Sequence, residues 1–146
     1  MNLFGVMEVS GTALAAERLR AEVVASNMAN AETTRTPEGG PYQRQHVVFQ
    51  SQAPQLKSFA DSFPSQANGD IGGVEISAVV ADKAAGLSRY DPQHPDADEN
   101  GYVSYPDINP LTEMVDLLSA SRAYGLNSSA VQATKGMISA SLDILK

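Results

Sequence analysis

The chain has 146 residues, enough for one ordinary domain, and its 42% apolar content with only 6% aromatics and no Trp suits packed helices better than an aromatic-lined pocket. Its 17 acidic and 10 basic residues leave a formal net charge of −7, and no basic stripe with interleaved aromatics occurs, which argues against nucleic acid or anionic lipid as partner. The absence of cysteine excludes disulfides, thiolate catalysis and Cys-based zinc or iron–sulfur sites.

The first segment, MNLFGVMEVSGTALAAERLRAEVV, has neither a basic leader nor an apolar h-region, and no stretch approaches ~18 consecutive apolar residues. Direct membrane insertion is therefore not expected, and any export is expected to proceed without a cleaved signal peptide. Residues Leu3 to Ala29 contain no Pro and one Gly, Gly11. Met7, Leu14, Ala21 and Met28 recur every seventh residue, a coiled-coil-like repeat that predicts an amphipathic helix about 40 Å long. Thr33 to Tyr42 (TTRTPEGGPY) follows, and its Pro37, Gly39, Gly40 and Pro41 predict a turn or loop.

The middle of the chain is different in character. His46 to Gln50 is a short strand candidate. Ser51 to Gly73 is rich in Ser, Gln, Asn, Asp, Gly and Pro and reads as a mobile loop. Val74, Ile76, Ala78 and Val80 share a face at period two, so Val74 to Asp82 reads as a strand. Leu87 to Tyr90 and Tyr102 to Tyr105 are two more. The Gly39-Gly40 and Gly72-Gly73 pairs read as turns, not as a phosphate-binding loop.

The last segment carries the strongest pattern. Pro110 suits a first helical turn, with Asn109 as its N-cap. Met114, Leu117, Ser121, Tyr124, Ser128, Val131, Lys135, Ile138, Leu142 and Leu145 alternate spacings of three and four. A second stripe runs through Leu126, Ala130, Ala133, Met137, Ala140 and Ile144. The expected helix, Pro110 to Lys146, spans roughly 50 Å.

The expected fold is thus mainly α with a small β insert. Residues 1–31 and 110–146 form a discontinuous terminal helical domain whose two long helices pair as an antiparallel coiled-coil-like hairpin, and residues 32–109 form a loop and β-rich insert. Two paired helices cannot bury more than one stripe each. The remaining apolar area, at about 25 cal/mol per Å², favours finding partners. The alternative on periodicity alone is a Met/Leu/Ala core inside one compact helical domain.

Chemistry is hard to build here. Asp96, Asp98, Asn100 and Asp107 occupy ligand positions of a calcium loop, with Gly101 at its sixth position. Against that, Pro92 and Pro95 forbid a normal entering helix, and Asp107 is shorter than the usual Glu. Asn100-Gly101 reads equally as the hairpin turn before Tyr102, and the turn is preferred. A small calcium-binding module remains the alternative function. His94-Pro95-Asp96 matches the co-chaperone tripeptide but lacks its flanking helices. With two histidines, His46 and His94, and no nucleophile elbow or P-loop, no catalytic residues and no cofactor are expected.

The string Ser26 to Thr34 (SNMANAETT) resembles the SNLANANT signature that ends the first helix of bacterial flagellar rod, hook and related axial proteins. Met28 stands for the usual Leu, a volume-conserving exchange, and Glu32 for an Asn. Thr34 to Tyr42, Tyr90 to Tyr105 and Asn109 to Asn127 are similar to the proximal rod branch of that basal-body family. Tyr124-Gly125-Leu126-Asn127 has Gly where the family commonly has Glu, so any ionic contact of that Glu is missing. The resemblance covers nearly the whole chain apart from about Ser51 to Gly73.

The resemblance implies a structural subunit of the flagellar basal body, located in the periplasmic rod and exported unfolded through the flagellar type III apparatus. Its terminal helices are then expected to line a helical tube that transmits torque. Implied partners are FlgB, FlgF, FliE and further copies of the chain, with FlgG as an additional candidate. The implied subunit-interface residues are Met7, Leu14, Ala21, Val24, Met28 and Asn30 on the first helix. On the last they are Met114, Leu117, Leu118, Tyr124, Val131, Ile138, Leu142 and Leu145. Asn27 and Asn30 are expected to cap the first helix and orient the following loop.

Overall fold

The computed structural model describes residues 3–52 and 72–144. Six elements follow in order: α1 (Leu3–Ala29), β1 (Gln45–Ser51), β2 (Val74–Ala81), β3 (Leu87–Tyr90), β4 (Tyr102–Tyr105) and α2 (Pro110–Asp143). The described chain is mainly helical with two small strand pairs, as expected. The bounds of α1, β3 and β4 coincide with the expected ones, and β1 takes one more residue at each end. Of the expected loop, residues 53–71 lie outside the described residues, as does Leu145.

Local chemistry explains the helix ends. The Asn109 side chain accepts the Leu111 N–H at 3.0 Å, and its carbonyl accepts the Glu113 N–H at 3.1 Å, so Asn109 caps α2 with Pro110 opening it. At the other junction the Ser26 carbonyl accepts both the Asn30 N–H at 3.0 Å and the Asn30 side-chain amide at 2.9 Å, so Asn30 clasps the last turn of α1. Thr33 then folds back onto Asn30 through both its N–H and its hydroxyl. The loop to β1 is closed by Gly39 and Gly40 at φ +92° and +78°, a conformation that favours Gly, with the Thr36 N–H on the Gly40 carbonyl at 2.9 Å.

β1 pairs with β2, and β3 with β4, each antiparallel. In the second pair Leu87 lies opposite Tyr105 and Tyr90 opposite Tyr102. The Tyr90 and Tyr102 rings meet edge to face at 5.3 Å. Of the four β2 residues that share a face, Val74 and Ile76 are half-buried while Ala78 and Val80 are exposed.

The chain divides into two compact units. One comprises Met1–Arg18, Phe49–Ser77 and Ser121–Lys146; among its described residues Ser10, Ala16, Gly73 and Thr134 are buried. The other comprises Leu19–Val48 and Ala78–Ala120, and buries Val23, Val24, Val103, Ile108 and Ala120 together with two polar residues, Asn27 and Glu113.

Gly73 is not a turn glycine, contrary to the sequence reading. A Cβ there would lie 2.5 Å from the Thr12 hydroxyl, which itself accepts the Val74 N–H at 3.1 Å. It is Gly because the start of β2 lies directly on α1.

Candidate functional site

The most constrained group of side chains is polar. Asn27, near the end of α1, is 1% exposed and makes four hydrogen bonds. Its amide nitrogen donates to the Gln45 carbonyl at 2.7 Å and to Glu113 Oε2 at 3.1 Å. Its amide oxygen accepts the Gln45 N–H at 2.9 Å and the Tyr42 hydroxyl at 3.2 Å. Asn27 therefore pairs with the first residue of β1 as a neighbouring strand would. The expected helix-capping role belongs to Asn30 alone.

Glu113, in the first turn of α2, is also 1% exposed. A buried carboxylate must be compensated or it costs several kcal/mol. Here Oε1 accepts Arg44 Nε at 2.7 Å and Oε2 accepts Asn27. The same Arg44 reaches Asp116 at 3.6 Å, and Arg20 of α1 reaches the other oxygen of Asp116 at 3.6 Å. Two cations face two anions, so the group is neutral as a whole. It joins the end of α1, the entry to β1 and the start of α2. Such a group fixes geometry; it offers no exposed nucleophile.

Burial on α2 departs from the expected stripe. Glu113, Ala120, Asn127 and Thr134 recur every seventh residue on the covered side, together with Leu117, Val131 and Ile138. Met114, Leu118, Tyr124 and Leu142 of the expected interface are exposed, and Leu142 keeps 58% of its surface. Leu111, Val115 and Leu126 are exposed as well, Leu126 at 73%. The fully buried positions of α2 are small or polar, and its large apolar residues divide between the half-buried Leu117, Val131 and Ile138 and the exposed remainder.

On α1 Ser10, Ala16, Val23, Val24 and Asn27 are buried, while Met7, Leu14, Ala21, Met28 and Asn30 are half-buried. Val24 was in the expected set; Asn27, Arg44 and Glu113 were not.

The acidic loop is a turn. Asp98 Oδ1 accepts the Asn100 N–H at 2.9 Å and the Tyr102 N–H at 2.8 Å, and Gly101 sits at φ +79°. Asp96 accepts the Thr34 hydroxyl at 2.8 Å and faces Arg35, while Asp107 is exposed. These carboxylates serve the turn and the loop after α1, and no group of three His, Asp or Glu among the described residues is placed to hold a metal. His94 Nδ1 accepts the Asp96 N–H at 3.1 Å, so the His94-Pro95-Asp96 tripeptide is part of the same turn. Among the described residues no helix is long and apolar enough to cross a membrane.

Comparison with known proteins agrees with this arrangement. Residues 7–35 match the family described as flagella basal body rod protein, and residues 99–144 match the C-terminal family of flagellar basal body rod FlgEFG proteins. The chain is 40% identical to the flagellar basal-body rod protein FlgC of Borreliella burgdorferi, over 100% of this chain and 99% of that one. It is 41% identical to FlgC of Bacillus subtilis over the full length of both, and 38% identical to FlgC of Salmonella typhimurium over 94% of each. A capped helix ending in the Asn27–Asn30 signature, a second helix with a free apolar surface and full-length identity to these relatives place the chain in the FlgC family of flagellar basal-body rod proteins: it is a structural subunit, not an enzyme.

Proposed function

We propose that the chain builds the proximal part of the flagellar rod, a helical tube that carries torque across the periplasm. The observation that carries this reading is the row of large apolar residues left exposed on α2, among them Leu111, Met114, Val115, Leu118, Leu126 and Leu142. An exposed apolar surface of this extent favours burial against neighbours at about 25 cal/mol per Å². A contact that repeats without closing on itself generates a helical filament.

In this reading residues 1–31 and 110–146 act as one terminal helical domain, paired as an antiparallel coiled-coil-like hairpin, and residues 32–109 form the insert. The Asn27–Glu113 and Arg20–Asp116 contacts support that pairing. The chain reaches the rod through the flagellar type III export apparatus without a cleaved signal peptide. Its neighbours are copies of itself, FlgB, FlgF and FliE, with FlgG as a further candidate. The half-buried and exposed members of the expected set, from Met7 to Leu142, meet those neighbours.

The test is Leu142→Asp in a strain whose only copy is the variant. The expected result is normal expression and stability with loss of swimming, because an exposed position changes stability by about 0.5 kcal/mol or less. Ser139→Asp, exposed on the same helix, should leave swimming intact. A motile Leu142→Asp strain would sink the proposal.

A further inference from the structure

Seven-residue repeats carry an ambiguity. Helices whose contact residues recur every seventh position can slide by one heptad and still match small residue to small residue. On α2 none of the covered positions Ala120, Asn127 and Thr134 carries a bulky side chain, and on α1 Ala16 and Val23 are also seven apart. Shape alone therefore separates neighbouring registers poorly. Chemistry separates them well. Glu113 is the one acidic residue in its heptad series, and it meets Asn27, the residue that also receives β1. A slide of seven residues would bring Ala120 to Asn27. It would also carry Glu113 past the end of α1, away from Arg44 and the Asn27 amide, and set the buried Asn27 amide against a methyl group, and a buried donor left without an acceptor is disfavoured. Arg44 comes from the loop side, so the same contact fixes where the chain re-enters as β1.

We infer that Asn27, Glu113 and Arg44 are the register-determining residues of this subunit: they specify one pairing of the end of α1 with the start of α2, and through it the alignment of the surface that α2 offers to neighbours. The inference rests on the proposed pairing of the two helices. It assigns these residues a positioning role and not a place in the intersubunit contact.

The chain has no cysteine, so engineered pairs can be read without background. Val23 and Leu117 each lie one helical turn from the Asn27–Glu113 contact, and Tyr124 lies one heptad beyond Leu117. The purified full-length chain would carry Val23→Cys with Leu117→Cys, or Val23→Cys with Tyr124→Cys, and be treated with a short bifunctional thiol reagent. In the otherwise native chain the 23–117 link should exceed the 23–124 link by about tenfold or more, the ratio that about 1.4 kcal/mol between registers sets. With Asn27→Leu and Glu113→Leu together the two links should approach parity. Glu113→Gln keeps an acceptor for Asn27 and should retain the native preference. A Leu/Leu chain that still yields only the 23–117 link would overturn the inference while leaving the pairing intact. Failure of the 23–117 link in the native background would overturn the pairing itself, and the inference with it. A Leu/Leu chain that loses its helical circular dichroism is judged on Glu113→Gln against Glu113→Ala: retained preference in the first and loss in the second support the inference, and equal preference in both refutes it.

Discussion

Replacing Asn27 by Ala is the most informative single perturbation. The side chain is 1% exposed and its four hydrogen bonds lie between 2.7 and 3.2 Å. Two of them satisfy the N–H and carbonyl of Gln45, each worth about 1 kcal/mol net. The bond to the Glu113 carboxylate is charge-assisted, about 1.5 kcal/mol or more, and that to Tyr42 adds about 0.5 kcal/mol. Gln45 and Tyr42 are half-buried and can turn partly to water, which reduces the sum to about 3 kcal/mol. That is a large share of the 5–15 kcal/mol typical of a domain. Urea unfolding of the full-length chain, followed by circular dichroism, should give a lower midpoint with little change in slope.

Asn27→Asp should be worse than Asn27→Ala at neutral pH. It keeps the acceptor for the Gln45 N–H but removes both donors and sets a second carboxylate about 3 Å from Glu113. At an effective dielectric of about 20 that repulsion reaches about 5 kcal/mol as an upper bound. A loss below about 1 kcal/mol for Ala, or an Asp variant more stable than Ala, would refute the assignment of Asn27 as the buried hub.

Gly73→Ala should cost about 1–3 kcal/mol in the same assay, because the new methyl would sit 2.5 Å from the Thr12 hydroxyl. Adding Thr12→Ala should make the pair's effects non-additive, in a double-mutant cycle. Asp98→Ala should lower stability by about 1 kcal/mol through loss of the Asn100 and Tyr102 N–H acceptor, equally with and without calcium in a thermal melt. Hydrogen exchange on the dilute chain should find Val23 to Asn27 and Glu113 to Ala120 more protected than residues 3–9 and 135–144, because the buried residues concentrate in the first two segments.

The architecture was legible in the sequence where local rules act alone. Prolines at 106 and 110 with Asn109 between them bound α2, and Asn100-Gly101 marked the hairpin. What period and composition did not convey was which side of each helix is covered. Spacing grouped Met114, Tyr124 and Leu142 in one stripe with Leu117, Val131 and Ile138. The structure divides that stripe: Leu117, Val131 and Ile138 are half-buried near the buried Ala120 and Thr134, while Met114, Tyr124 and Leu142 stay exposed. Burial of Glu113 was not legible, since a lone acid near a helix N-terminus reads as a surface residue favoured by the helix dipole. Its partners come from positions 27 and 44, and no local pattern links the three.

The split on α2 has an energetic logic. A subunit that turned Leu118, Leu126 and Leu142 inward would gain about 1–2 kcal/mol for each, since each is already partly covered, yet it would have less to offer a neighbour. With Ala, Thr and Glu on the covered side, the isolated chain is held by modest apolar burial and one polar group that specifies geometry. Burial of the exposed row is left to the assembly, and anything that binds the folded form stabilises it by mass action. The two classes of substitution therefore separate. Asn27→Ala is expected to weaken the free subunit before it meets a neighbour, and in the proposed rod reading Leu142→Asp is expected to leave the free subunit intact but to remove part of the surface offered to a neighbour.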